Sequence, residues 1–229
     1  DRIIRCVVGM PDVMPETNFL EIAPNDGDSI VKMTSFGQKM LIFKKRALYI
    51  VNVEFAENEV RESVERKVDF HGVSRQYHVC ETDLGIAWMN KYGVYIYNGE
   101  EVSEITSGKI DMTEWNWTNS KSIGYDPIHR TLIIMNNINN SSDTSSSWIY
   151  YIIDNSWSKL SSKFPVSSLK SNFINDQEGR LLLSAYNSTD VSPANVNGVQ
   201  FKKSIDDGGN MKYFIQTISD SPVDSDGDT

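Results

Sequence analysis

The most constraining feature of the chain is the stretch ETDLGIAWMNKYGVYIYNGEEVSEIT, residues 81–106. It reads as three short strands separated by two tight turns. Residues 85–89 form one strand, Asn90-Lys91-Tyr92-Gly93 turns the chain, and residues 94–97 return it. Asn98-Gly99 is the strongest short hairpin signal there is, because both residue types tolerate φ > 0. Residues 102–105 make the third strand. A three-stranded meander of this kind cannot fold alone and has to bury its faces against another layer.

The unit recurs in looser form. In one copy, residues 30–36 form a strand, Gln38-Lys39 leads into residues 40–44, and residues 46–53 follow after a turn. In the next, residues 73–80 precede the meander already described. A third runs through 122–125, the turn at Asp126-Pro127, 130–135, a polar loop at 136–147, 148–153 and, after Asp154-Asn155, 156–160. A fourth has 171–174, a turn at 175–179, 180–185, a polar loop at 186–197, and 199–205. The repeat length of about 40 to 50 residues is that of a propeller blade. Inner strands of a blade are covered on both faces, and Leu132-Ile133-Ile134 and Leu181-Leu182-Leu183 read that way. The expected fold is therefore all-β: a β-propeller of antiparallel meander blades, partial or incomplete, with at least four blade-like repeats. Residues 1–28 form an N-terminal strand (3–8) and an irregular lead-in, 29–209 the blades, and 210–229 the start of a further strand and a polar tail.

Within the lead-in, Pro11, Pro15 and Pro24 disfavour ladder pairing, since proline lacks the donor. Phe19-Leu20 and Ile22 are apolar enough to plug a core surface, and Asn25-Asp26-Gly27-Asp28 is a turn. Residues 54–68 are ambiguous. Val60, Val64 and Val68 stand at i, i+4 spacing, which suits a short amphipathic helix or an exposed strand with a long loop.

Length and composition agree with a folded all-β chain. The 229 residues are 39% hydrophobic, with 10 Tyr, 9 Phe and 5 Trp, which supplies a real core. With 22 basic and 31 acidic residues the net charge is −9. Such a chain repels a phosphate backbone, and Lys44-Lys45-Arg46 is only a local cluster, so direct sequence-specific nucleic-acid binding is not expected. No apolar run is long enough to span a membrane as a helix. Cys6 and Cys80 adjoin apolar residues and read as two small core residues. The chain starts at Asp1 and ends in the polar stretch 220–229, and is expected to be part of a longer protein.

The search for chemistry returns no assigned catalytic, cofactor or metal residue. His71 and His78 are seven apart, which on one strand puts them on opposite faces; His129 is the third histidine. No nucleophile elbow, P-loop or dinucleotide fingerprint occurs. Asp206-Asp207-Gly208-Gly209 is a hairpin turn first. Asp224-Ser225-Asp226-Gly227-Asp228 alternates carboxylates as a calcium loop does, without the Gly and Glu positions an EF-hand needs, and a solvated turn is the simpler reading. Glu100, Glu101 and Glu104 flank a hairpin and would suit glycoside hydrolysis only if they faced each other across a cleft. The aromatic residues concentrate mid-chain, most as packing between blades. Trp115 and Trp117 are candidates for a contact surface.

The segment LIFKKRALYIVN (41–52), followed by FHGVSRQYHVCETDLGIAWMNKYGVYIYNG (70–99), resembles the β-propeller proteins of phage tails, among them nozzle, muzzle and stabilisation proteins of short-tailed and crAss-like phages. The segment GMPDVMPETNFLEIAPNDGDSIVKM (9–33) is similar to what precedes the first blade in that family. The resemblance spans most of residues 9–99 and fades after 120. It implies a virion protein without enzymatic activity or cofactor, arranged as a homo-oligomeric ring in the tail and contacting other tail proteins. The same repeats also fit a cellular kelch-like or WD-like interaction module, or a glycan-binding tail protein for receptor recognition.

Overall fold

The computed structural model describes residues 2–7, 9–56, 59–135, 147–159, 173–175, 177, 179, 181–186, 196–205 and 211–218. The candidate turns at Asp206-Asp207-Gly208-Gly209 and Asp224–Asp228, and most of the polar loops at 136–147 and 186–197, lie outside them. The chain divides into two compact units, Asp1–Asn119 and Ser120–Thr229.

The first unit opens with β1 (Arg2–Ile4) and β2 (Phe19–Glu21), an antiparallel pair. Its first large sheet is a meander of β3 (Ile30–Phe36), β4 (Lys39–Lys44), β5 (Ala47–Ala56) and β6 (Glu59–Asp69). The second is β7 (Val79–Thr82), β8 (Gly85–Asn90), β9 (Gly93–Tyr97) and β10 (Val102–Glu104). A short helix, α1 (Met112–Trp115), follows. In the second unit, β11 (Ser122–Asp126), β12 (Thr131–Met135), β13 (Trp148–Tyr151) and β14 (Ser156–Lys159) form one meander. A last meander is β15 (Phe173–Asn175), β16 (Leu181–Tyr186), β17 (Val196–Ile205) and β18 (Met211–Ile218). The fold is all-β, and among the described residues four sheets share the four-stranded antiparallel order of a propeller blade.

Packing follows from strand alternation. On β4 and β5, Leu41, Phe43, Leu48 and Ile50 face one way and join Val79, Ile86, Trp88, Tyr95 and Tyr97 of the second sheet in one core. Phe43 meets Trp88 edge to face at 5.4 Å, and Trp88 stacks on Tyr95 at 5.6 Å. The opposite face of the same strands, Ile42, Ala47, Tyr49 and Val51, is covered by Ile22, with Ile3 and Leu20 against it. The lead-in is therefore the lid of the first sheet, and this is why Ile22 is fully buried in so irregular a segment. Polar ties also cross between the two sheets: Lys32 Nζ donates to Val79 O at 3.0 Å and Thr34 Oγ1 to Glu81 Oε1 at 2.6 Å. In the second unit, Gly124 sits so close to Phe173 that a Cβ would lie 2.3 Å from its ring, and Asn175 Nδ2 donates to Tyr125 O.

Several expectations are corrected. Of the two readings open for 54–68, the strand holds and the helix does not: the i, i+4 valine spacing is also an even spacing, which a strand satisfies, and residues 54–56 and 59–68 belong to β5 and β6. An irregularity opposite Ile50/Val51 then breaks the alternation: Val68 pairs with Leu48 and packs on the shared core, whereas Val64 pairs with Val51 and stays half-exposed. The strand expected over 73–80 begins only at Val79, because residues 76–78 form a 3₁₀ turn that sends the Tyr77 and His78 side chains to Asn119 O. The N-terminal strand stops at Ile4, since only Arg2–Ile4 find partners in β2. The last sheet passes the boundary at 209, because β18 pairs with β17 from Met211 to Ile218. Cys6 is exposed rather than core, lying beyond the end of β1. Cys80 is half-buried, with burial pushing its thiol up to about 12. In the Asn98-Gly99 turn only Gly99 takes a positive φ (105°). Asn98 acts through its side chain, whose Oδ1 accepts from the backbone N–H groups of Glu100 and Glu101.

Candidate functional site

The histidines do not meet in one cluster. His71 lies against Tyr95 (4.4 Å) and Trp88, His78 is buried beside Trp117, and His129 Nδ1 bonds Asp126 Oδ2 at 2.6 Å in the β11–β12 turn. Among the described residues no three His, Cys, Asp or Glu side chains stand close enough to hold a metal ion. Glu100 and Glu101 belong to the Asn98 turn, whereas Glu104 is at the far end of β10, where it accepts from Thr106 Oγ1. They do not form a facing pair. Trp115 is core: α1, capped by Asp111 accepting from Thr113 N, delivers its ring inward, and its Nε1 donates to Asn90 O at 3.0 Å. Trp117 stacks on it at 6.1 Å and is half-exposed.

What the fold does assemble is a depression of about 850 Å³ in the first unit, reached by Trp117 from one side and by the β4–β5 turn from another. Its wall begins with Asn25-Asp26-Gly27-Asp28. Ala23, Asn25 and Gly27 all take positive φ, and the coiled segment aims two carboxylates at Lys44-Lys45-Arg46. Asp28 accepts from the backbone N–H groups of Lys45 and Arg46, closing that turn from outside. Asp26 takes Lys44 Nζ at 3.0 Å, and Lys44 also donates to Ala23 O. The Lys44 side chain is fully buried, so its charge would be costly without those acceptors. The Asp28 backbone N–H donated to Asp26, then Lys44 beside it, holds the Asp26 carboxyl below its usual range. The basic cluster and the acidic turn, separate features in the sequence, are one structural device.

The next wall is the chain from β6 to β7. Gly72 runs so close to the β4–β5 turn that a Cβ would meet backbone atoms of Lys44, Lys45 and Arg46 at 2.5 Å. Only glycine fits, and this explains the Gly72-Val73 junction, whose Val73 N–H donates to Lys44 O. Asn90, buried at the end of β8, donates from Nδ2 to both Phe70 O and Gly72 O. Phe70 is thereby held at φ +65°, a region that bulky residues avoid. Its ring is 67% exposed and stands edge to face with Tyr92 (5.8 Å, 84°), itself 41% exposed. Lys91 Nζ lies 4.8 Å from the Tyr92 ring centre.

Of the two contact-surface candidates, Trp117 lines the depression and Trp115 is core, while Phe70, Tyr92 and Asn90 carried no such expectation. Tyr92 sits in a recognised turn, and Phe70 follows a strand whose type was ambiguous. The one available signal was an aromatic residue immediately before His71-Gly72, outside any apolar alternation.

No family model matches the chain, and no curated protein is significantly similar to it. Among solved structures, the WD40 domain of SCAP from fission yeast is similar to it at 9% identity and a TM-score of 0.47, over 96% of this chain. The chain spans 59% of the length of that chain.

Proposed function

We propose that this chain is a non-catalytic structural component of a phage tail, a rigid blade-built scaffold that assembles as a ring and contacts neighbouring tail proteins in the virion. The observation that carries the reading is where the family-like segments fall. Residues 41–52 supply β4, the β4–β5 turn and the start of β5, and residues 70–99 supply the Gly72 junction and β7 to β9. Together they form the shared core, the buried lysine turn and the Asn90 network, so the resemblance lies in the parts that make the body stiff. The strongly used polar groups there, Lys44, Asp26, Asp28 and Asn90, are spent on holding backbone. A surface depression edged with aromatic and cationic groups suits docking.

The test is proteomics and imaging of purified particles of the parent phage. The chain should be present in several copies per virion, and density for stacked four-stranded sheets should repeat around the tail axis. Absence from purified particles, or recovery only as a monomer from host cytosol, would remove the tail assignment and favour a kelch-like or WD-like cellular module.

A further inference from the structure

We infer that the depression walled by the β4–β5 turn, Phe70 and Tyr92 is a docking site for an acidic protein segment that seats one apolar or aromatic side chain in the angle formed by the two touching rings. The inference rests on reading the chain as a docking scaffold and not on its place in a tail.

Charge points to the partner. The chain as a whole is at −9, yet this depression is lined by four cations, Lys45, Arg46, Lys67 and Lys91, against Asp26, Asp28 and Asp69. All three carboxylates are engaged, two of them by lining cations, so the positive excess of the lining rests on Lys45 and Lys91. Asp26 holds Lys44, Asp28 holds two backbone N–H groups and faces Arg46 at 3.6 Å, and Asp69 holds Lys67 at 2.7 Å. Arg46 keeps a side chain 68% exposed while one of its terminal nitrogens donates to Asp26 O. A patch with a positive excess on a chain of net charge −9 orients an acidic partner, because the net charge of the body repels it while the patch attracts it.

Shape points to a side-chain anchor. The rings of Phe70 and Tyr92 stand at 84°, and Lys91 covers Tyr92, so they make a notch and not a flat platform. A sugar ring or a nucleobase needs a flat face to stack on, whereas a notch takes the end of a side chain. A long polyanion such as nucleic acid would also run past the patch, where the net charge of the body repels it. The volume, about 850 Å³, holds several residues of a peptide.

The backbone supplies the last argument. A non-glycine residue at φ +65° is strained, and such strain persists where something else over-determines it. Asn90 and the Gly72 contact fix that conformation, and its result is an exposed ring at the mouth of the depression. Glycine would sit at position 70 more comfortably, which provides a clean variant.

The experiment uses the full 229-residue chain and a fluorescein-labelled random copolymer of glutamate and tyrosine, read by anisotropy. Polyglutamate and heparin serve as comparison ligands. The copolymer should bind, bind more tightly than polyglutamate, and weaken as salt rises. The Lys45→Glu/Lys91→Glu double variant should lose about tenfold or more in affinity. Phe70→Gly should lose about tenfold with its melting temperature unchanged or raised, which separates loss of the ring from loss of the fold. Equal binding by Phe70→Gly, or heparin binding without copolymer binding, would overturn the inference. Copolymer failure with the chain still present in virions overturns this inference alone; binding with the chain absent from virions overturns the tail assignment alone.

Discussion

Strand β5 has two hairpin ends, and they are built in opposite ways. At Ala47 the β4–β5 turn is closed from outside by Asp28, floored by the buried Lys44–Asp26 pair and pressed by Gly72, while Val73 N–H bonds Lys44 O. At the other end, β4 gives out opposite Asn52: Val53 N–H still donates to Gln38 O, residues 54–56 pair with β6, and Arg5 of the lead-in donates to Val60 O and pairs with Glu62. There Phe55 is 75% exposed. The two ends obey the same meander grammar. What separates them is what the distant residues hold: at the Ala47 end the turn's own backbone groups, at the other end Val60 and Glu62 of β6 through the Arg5 side chain. A hairpin is marginal alone, and the anchored end gains its rigidity from parts that are not in the hairpin.

The contrast can be broken most sharply at Gly72. Gly72→Ala places a Cβ against backbone atoms that cannot rotate away, so denaturant unfolding should show a loss of about 3 kcal/mol or more. A change under about 1 kcal/mol would mean that the Ala47 end is no more constrained than the Phe55 end. Asn90→Ala removes three hydrogen bonds, those donated to Phe70 O and Gly72 O and the one Oδ1 accepts from Tyr92 N–H. A loss of about 2 kcal/mol is expected, together with faster hydrogen exchange at the Val73 amide.

Asp26→Asn tests the electrostatic part. The Asp26 carboxyl is held below its ordinary range by the Asp28 N–H and by Lys44. A carboxyl depressed in the folded state contributes stability that is whole above its unfolded value, about pH 4, and is lost as pH falls through the folded value. The parent chain should therefore be the more stable at pH 7, and the two should converge as pH drops well below about 4. Adding Lys44→Met to Asp26→Asn should recover part of the loss, because the buried charge is removed together with the carboxylate that faces it. At the other end, Phe55→Ser should change stability by less than about 0.5 kcal/mol, and a larger loss would show that the exposed ring is covered by something in solution.

Three strands of the second sheet, β8 to β10, were legible, because local turn chemistry cuts the chain at Asn90, Gly93 and Asn98; β7 was not, because a 3₁₀ turn at residues 76–78 interrupts the strand read there and β7 begins only at Val79. β6 was not legible, because a four-residue spacing satisfies a helix and a strand alike, and only pairing with β5 decides between them. The depression was not legible either. Asp26 and Lys44 are 18 residues apart, Phe70 and Asn90 are 20 apart, and no local pattern states that they meet.

From its residues alone this chain was determined to be all-β, assembled from repeated antiparallel meanders, since turn preferences and apolar alternation act over a few neighbouring residues. Tertiary structure alone decided which hairpin end is locked, which lysine is buried and which phenylalanine is displayed. Those outcomes depend on contacts whose loop-closure cost is repaid only when separate sheets and the lead-in pack together.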